Sequence, residues 1–133
     1  AGAAVVLLIV RALDDRELSR LARAARGLGL ATLVEAHDRV ELDRALAAEP
    51  TALGVNNRDL STYVTDLRVA EELIPFVPAG VLAVAESGIE AREDVARMAA
   101  AGADLVLVGG AVARADDPGK AVHNLTGVAR RSR

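Results

Sequence analysis

Short apolar runs rich in β-branched residues, at 5–10, 31–35, 52–56, 81–86 and 104–108, alternate along the chain with segments of helical period. The runs are apolar at successive rather than alternate positions, as in parallel strands buried on both faces, against helices on one side and a barrel interior or second helix layer on the other. Between the first two runs, residues 14–26 place Leu18, Leu21, Ala22 and Ala25 at helical spacing, and Gly27 and Gly29 supply the stop. Asp38 caps a segment holding Val40, Leu42, Ala45 and Leu46, which Pro50 ends. Asp66 opens one holding Leu67, Ala70, Leu73 and Ile74, with Pro75 and Pro78 as its stop, and residues 91–101 form a helix that ends at Gly102. Asp117-Pro118 reads as an N-cap followed by proline at the first helical position, opening a last helix towards Gly127. The tail, residues 130–133, is expected to fray. Strand starts recur at intervals of roughly 20 to 30 residues, the period of a repeated βα unit, and no linker interrupts them, so residues 1–133 are expected to form one domain.

The 52% hydrophobic content with interspersed charges is that of a globular core. A net charge of -3 gives no broad positive field for a polyanion, and 2% aromatic residues leave no stacking platform, so nucleic acid is not an expected partner. The apolar runs are too short to span a bilayer and no secretory signal is visible; no membrane partner is expected and the cytoplasm is the expected compartment. Absence of cysteine removes thiolate nucleophiles and Cys-based zinc sites, and no metal is expected. The basic residues are all arginine except Lys120.

In parallel α/β architectures ligands bind at the carboxyl ends of strands, and here those ends are polar. The second run ends in Glu35-Ala36-His37, the third in Asn56-Asn57-Arg58-Asp59, the fourth in Glu86-Ser87-Gly88 and the fifth in Gly109-Gly110. Glu35 and Glu86 on one rim are the parts for general acid and base work if their surroundings separate them, or else solvated strand ends. Arg58 either clamps a substrate anion or pairs with Asp59 or Asp66. The turns at Ser87-Gly88 and Gly109-Gly110 suit a phosphate, because glycine lets backbone approach an anion and the following helix start adds partial positive charge; tight turns alone would also explain them. His37 is expected to hydrogen-bond a neighbouring loop, and His123 to be structural.

The blocks Leu33-Val34-Glu35-Ala36-His37-Asp38, Gly54-Val55-Asn56-Asn57-Arg58-Asp59-Leu60, Ala85-Glu86-Ser87-Gly88-Ile89 and Val106-Leu107-Val108-Gly109-Gly110-Ala111, in this order, resemble indole-3-glycerol phosphate synthase. The resemblance runs nearly the whole chain and implies strands four to eight of a (βα)8 barrel, with an open doubly wound five-stranded sheet as the alternative if the piece folds alone. It implies a lyase of tryptophan biosynthesis that closes a ring on a carboxyphenylamino-deoxyribulose phosphate with loss of carbon dioxide and water, without a cofactor. It further implies that Glu35 serves acid-base catalysis, Asn56 and Arg58 contact substrate, Glu86 contacts a substrate hydroxyl and catalytic groups, and Ser87, Gly88, Gly109 and Gly110 cradle phosphate. Gly110 stands where the family often has serine.

The family also uses lysines and a further glutamate from its first three strands, one lysine being the general acid, and Lys120 in the last helix cannot replace them. With the start at Ala1-Gly2-Ala3, the sequence reads as a fragment, inactive alone, that self-associates through apolar sheet edges or takes an N-terminal half-barrel as complement. The competing expectations are a non-catalytic binder of phosphate esters, an inert fragment, or another phosphate-binding barrel enzyme such as phosphoribosylanthranilate isomerase or thiazole synthase.

Overall fold

The computed structural model describes residues 2–131. Strand β1 is Val5–Ile9, followed by helix α1, Asp15–Gly27; β2 is Ala31–Ala36 and α2 Arg39–Ala47. Strand β3, Ala52–Asn56, precedes α3, Arg68–Leu73; β4, Leu82–Glu86, precedes α4, Arg92–Ala101. After β5, Leu105–Leu107, come a four-residue helix α5, Gly110–Ala113, and α6, Pro118–Leu125. All five expected strands form. The short α5 was not foreseen, because Gly110-Ala-Val-Ala is too brief to show a helical period.

Local chemistry explains the boundaries. The Asp14, Asp38 and Asp117 carboxylates accept the backbone N–H of Glu17, Glu41 and Lys120 and so start α1, α2 and α6, and Gly102 stops α4 at φ 101°. The third helix ends at Leu73, just before Pro75, as expected. Pro75 itself sits inside a tighter 3-10 turn, Ile74–Phe76, where the missing N–H is tolerated in the opening turn. The tail is better anchored than expected. Arg130 pairs with Asp104, and Arg131 donates its N–H to the Ala99 carbonyl; Ser132 and Arg133 lie outside the described residues.

The five strands are parallel and ordered β1-β2-β3-β4-β5, so every crossover steps the same way. Right-handed crossovers then put every helix on one face, which is the wall of a barrel; a doubly wound sheet would reverse its strand order and cover both faces. The five strands are therefore consecutive units of a partial barrel. Side chains alternate across this wall. Leu8, Val34, Ala36, Leu53, Val55, Ala83 and Ala85 point to the helices and are buried. Val5, Leu7, Leu82, Leu105 and Leu107 point the other way, into what a closed barrel would fill, and each is roughly half exposed. Among the described residues no helix is long and apolar enough to cross a membrane.

This two-faced sheet has a measurable signature. Leu53→Ala, on the covered face, is expected to cost ~3 kcal/mol, and Leu105→Ala, on the open face, under ~1 kcal/mol. Urea unfolding of the two variants at low protein concentration checks the contrast.

Candidate functional site

The parallel register aligns the strand ends. Asn56 lies opposite Glu86, Glu35 opposite Gly54, and Gly54 opposite Val84. Period-two alternation sends Glu35, Gly54, Asn56 and Glu86 to the helix-free face, all at its carboxyl end. Although that face is open lower down, Glu35, Asn56 and Glu86 are each less than a tenth exposed.

Gly54 sits between the two carboxylate-bearing strands and decides their geometry. A Cβ built on it would lie 2.0 Å from Glu86 Oε1 and 2.9 Å from Glu86 Cδ, so Glu86 occupies the space a side chain would take and leans across β3 towards Glu35. Burial raises the Glu86 carboxyl to about 7, reinforced by the charge of Glu35 and by a hydrogen bond to it. A buried carboxyl raised in this way, beside a second carboxyl at the neighbouring strand end, is an arrangement suited to acid-base chemistry.

Behind Glu35 stands a second group that sequence reasoning did not assemble. His37 does not bond a neighbouring loop. Its backbone N–H and its Nδ1 both meet Glu41 Oε2, at 2.8 and 2.9 Å, while Arg11 Nε donates to Glu41 Oε1 at 2.8 Å. Burial would raise the Glu41 carboxyl, but the bonds from Arg11 and His37 outweigh it and hold it below the usual range. His37 Nε2 faces Glu35 Oε1 at 3.2 Å. Nε2 and Glu86 Oε1 are the two buried side-chain polar atoms without a hydrogen bond among the described residues. A signal for Glu41 was present in the sequence, since Asp38-x-x-Glu41 has the spacing of a capping box. Asp38 does cap Glu41 N, but the Glu41 carboxylate turns to His37 instead of closing the box.

Asn57 fastens the rim together. Its Nδ2 donates to the carbonyls of Glu86 and Ser87 at 3.0 and 3.1 Å, its Oδ1 accepts from Ala70 N at 3.0 Å, and its N–H donates to the Glu86 carbonyl. Asn56 Oδ1 accepts from Arg58 N, and Arg58 bridges Thr65 across the loop that follows β3. The Arg58 side chain makes no ion pair with Asp59 or Asp66. Asp59 accepts the N–H groups of Ser61 and Thr62, and Asp66 pairs with Arg68.

Arg58, Ser87, Gly88, Gly109 and Gly110 line one cleft of about 510 Å³, joined by Thr65 and Arg114. Ser87 and Gly88 are both left-handed, at φ 64° and 74°, and a Cβ on Gly88 would meet Thr65 Cγ2 at 2.4 Å, so this turn needs its glycine for space as well as for φ. Beyond Gly88, Asp94 Oδ2 accepts the N–H groups of Glu90 and Ala91 that lead into α4. The cleft meets the Ser87-Gly88 turn and the start of α5. Arg114, ion-paired with Glu90, lays its guanidinium over Gly110. His123 is exposed on α6, not packed as a structural histidine, and lines a separate opening of about 940 Å³ that contains neither rim carboxylate. Among the described residues no group of three or more His, Asp or Glu side chains is placed to hold a metal ion.

A family model described as indole-3-glycerol phosphate synthase matches residues 1–125. An indole-3-glycerol phosphate synthase of Opitutus terrae is 51% identical over 118 residues, which are 89% of this chain and 44% of that protein. One of Variovorax paradoxus is 49% identical over 121 residues, covering 91% of this chain and 46% of that protein. The chain spans about half the length of the curated relatives it matches. Among solved structures, 3-hexulose-6-phosphate synthase from Salmonella typhimurium aligns with a TM-score of 0.77 at 20% identity, over 93% of this chain and 60% of that one, a likeness of fold.

The carboxyl pair makes stability depend on pH with a definite sign. Glu86 binds its proton more tightly folded, near pH 7, than unfolded, near 4.5, so its contribution is complete below pH 4.5 and is lost as pH rises through about 7. Relative to Glu86→Gln, the chain should lose about 2 kcal/mol between pH 4.5 and 7.5, once partial access of water is allowed for. Denaturant unfolding of both across that range checks it. Gly54→Ala should displace Glu86 and remove most of this dependence.

Proposed function

Because the chain belongs to the indole-3-glycerol phosphate synthase family, we propose that its rim supplies the carboxylate and phosphate-binding half of that family's active site. The reaction converts 1-(2-carboxyphenylamino)-1-deoxyribulose 5-phosphate to indole-3-glycerol phosphate. A ring carbon attacks the ketone, carbon dioxide leaves to restore the aromatic ring, and a hydroxyl leaves as water. Closure and dehydration each need a proton delivered to oxygen, and forming the last double bond needs a proton removed from carbon. Glu35 serves as the acid-base group, and Glu86 holds the substrate hydroxyl with the proton it retains near neutrality. Asn56 and Arg58 hold the substrate body, with the Arg58 guanidinium free for an anionic group. Ser87, Gly88, Gly109 and Gly110 receive the phosphate.

The observation that carries this reading is Glu86 lying over Gly54, buried and raised to about 7 beside Glu35. What the rim lacks is an ammonium. The one lysine, Lys120, is exposed on α6 against Asp117. We therefore expect the chain to be inactive by itself, a carboxy-lyase only when further βα units bring a lysine and cover the open apolar face. A phosphorylated biosynthetic intermediate as substrate supports a cytoplasmic setting. A second reading is favoured by the cleft, whose Arg58 and two glycine turns all belong to this chain: it binds phosphate esters without chemistry.

Mixing the chain with the N-terminal half of the Opitutus terrae relative separates these readings. Formation of indole-3-glycerol phosphate is expected in the mixture and not with either piece, lowered by about 10²-fold or more in Glu35→Gln and Glu86→Gln. Turnover by the chain alone, or a mixture indifferent to both variants, contradicts the half-site. If the mixture is silent but inorganic phosphate binds saturably by calorimetry and Gly88→Asp abolishes it, the binding reading stands in its place.

A further inference from the structure

Arg58 follows β3 and the Ser87-Gly88 turn follows β4, so a phosphate held by both needs the two strand ends kept at a fixed spacing. Asn57 stands at that junction, next to Arg58 in sequence, and it is buried. We propose that Asn57 is a positioning residue for the phosphate cleft, a role that rests on the phosphate binding proposed above. Its side chain holds the carbonyls of Glu86 and Ser87 and thereby aims the Ser87 and Gly88 N–H groups at the anion beside Arg58.

Asn57 Nδ2 donates to the Glu86 carbonyl at 3.0 Å and to the Ser87 carbonyl at 3.1 Å, and the Asn57 N–H donates to the Glu86 carbonyl at 2.9 Å. In a planar trans peptide the C=O and the following N–H point in opposite directions. Drawing these two carbonyls towards β3 therefore turns the N–H groups of Ser87 and Gly88 to the β5 side, where Gly109 and Gly110 line the same cleft. Among the described residues no group accepts either N–H, so both are free for a ligand. The turn takes this shape at left-handed φ of 64° and 74°, which a serine adopts only when its surroundings impose it. Asn57 Oδ1 meanwhile accepts the Ala70 N–H at 3.0 Å, where Leu67 at the start of α3 supplies no capping side chain. With one donor facing Oδ1 and two acceptors facing Nδ2, the amide has a single orientation. The loop that carries Arg58 is drawn in at its far end as well. The Asn57 carbonyl accepts the Asp66 N–H, and Thr65, bridged to Arg58, fills the space a Cβ on Gly88 would need. Both walls of the cleft are thus tied to one side chain.

Calorimetry of the 133-residue chain with inorganic phosphate tests this role, with proton-nitrogen spectra of the backbone alongside. In the unmodified chain the Ser87 and Gly88 amide protons should move downfield as phosphate saturates, an arm that needs no variant. Asn57→Ala should weaken phosphate binding by about tenfold or more. So should Asn57→Asp, which keeps an acceptor for Ala70 but sets an oxygen against the two carbonyls. Leu53→Ala, a destabilising change on the helix side of the same strand, should bind as tightly as the unmodified chain while folded. Equal weakening in Leu53→Ala would reduce the effect to lost stability and overturn the proposal. Folded Asn57 variants that bind undiminished, or Ser87 and Gly88 amides that phosphate leaves unmoved, would also overturn it. In those cases, loss of binding in Gly88→Asp would leave the cleft itself standing. An unmodified chain that binds no phosphate overturns the role too, while the synthase reading still answers to the mixing experiment.

Discussion

Two carboxyl groups brought together out of water repel unless a proton lies between them, and whether they can meet is decided here by one missing side chain. Gly54 stands on the strand between Glu35 and Glu86, and only because it has no Cβ does Glu86 reach across β3. The arrangement depends in turn on register. A slip of one residue in β3 or β4 would send Asn56 or Glu86, respectively, to the helix side, among buried apolar side chains. Asn57 guards against that slip by bonding the carbonyls of Glu86 and Ser87 from the end of β3 while receiving the N–H of Ala70 from α3. Strand pairing, helix docking and the carboxyl pair are thus one construction.

Much of the fold was legible because its signals are local. Apolar runs marked the strands, and aspartate caps marked three helix starts, each of which the structure reproduces. What periodicity could not supply was the face of the sheet on which helices lie, since an apolar run reads the same in a barrel wall and in a doubly wound sheet; strand order settles that. The 3-10 turn through Pro75 and the anchored Arg130 show the same limit, because proline tolerance and a long-range ion pair depend on neighbours remote in sequence.

At the rim, strand-end position singled out Glu35, Arg58, Glu86 and the glycine turns, the family resemblance added Asn56, and the structure gathers them along the ends of β2 to β5. The parts that escaped were those whose importance is relational. Gly54 looked like an ordinary strand glycine until Glu86 was seen lying against it, and Glu41 looked like an N-terminal helix residue until His37 claimed its carboxylate. Asp94 is a further relational case, for its carboxylate accepts the N–H groups of Glu90 and Ala91 just before α4.

The wall's open face carries half-exposed Val5, Leu7, Leu82, Leu105 and Leu107 below a rim that is already buried, so the apolar floor awaits a covering while the carboxyl pair does not. Whether that pair is built by this chain alone is the central matter, and infrared absorption of the purified 133-residue chain between pH 5.5 and 6.5 addresses it most directly. A carbonyl band of a protonated carboxyl, lost in Glu86→Gln and weakened in Gly54→Ala, is the predicted result. A folded chain showing only ionised carboxylates in that range would contradict it, and would mean that Glu86 does not keep its proton without the rest of a barrel.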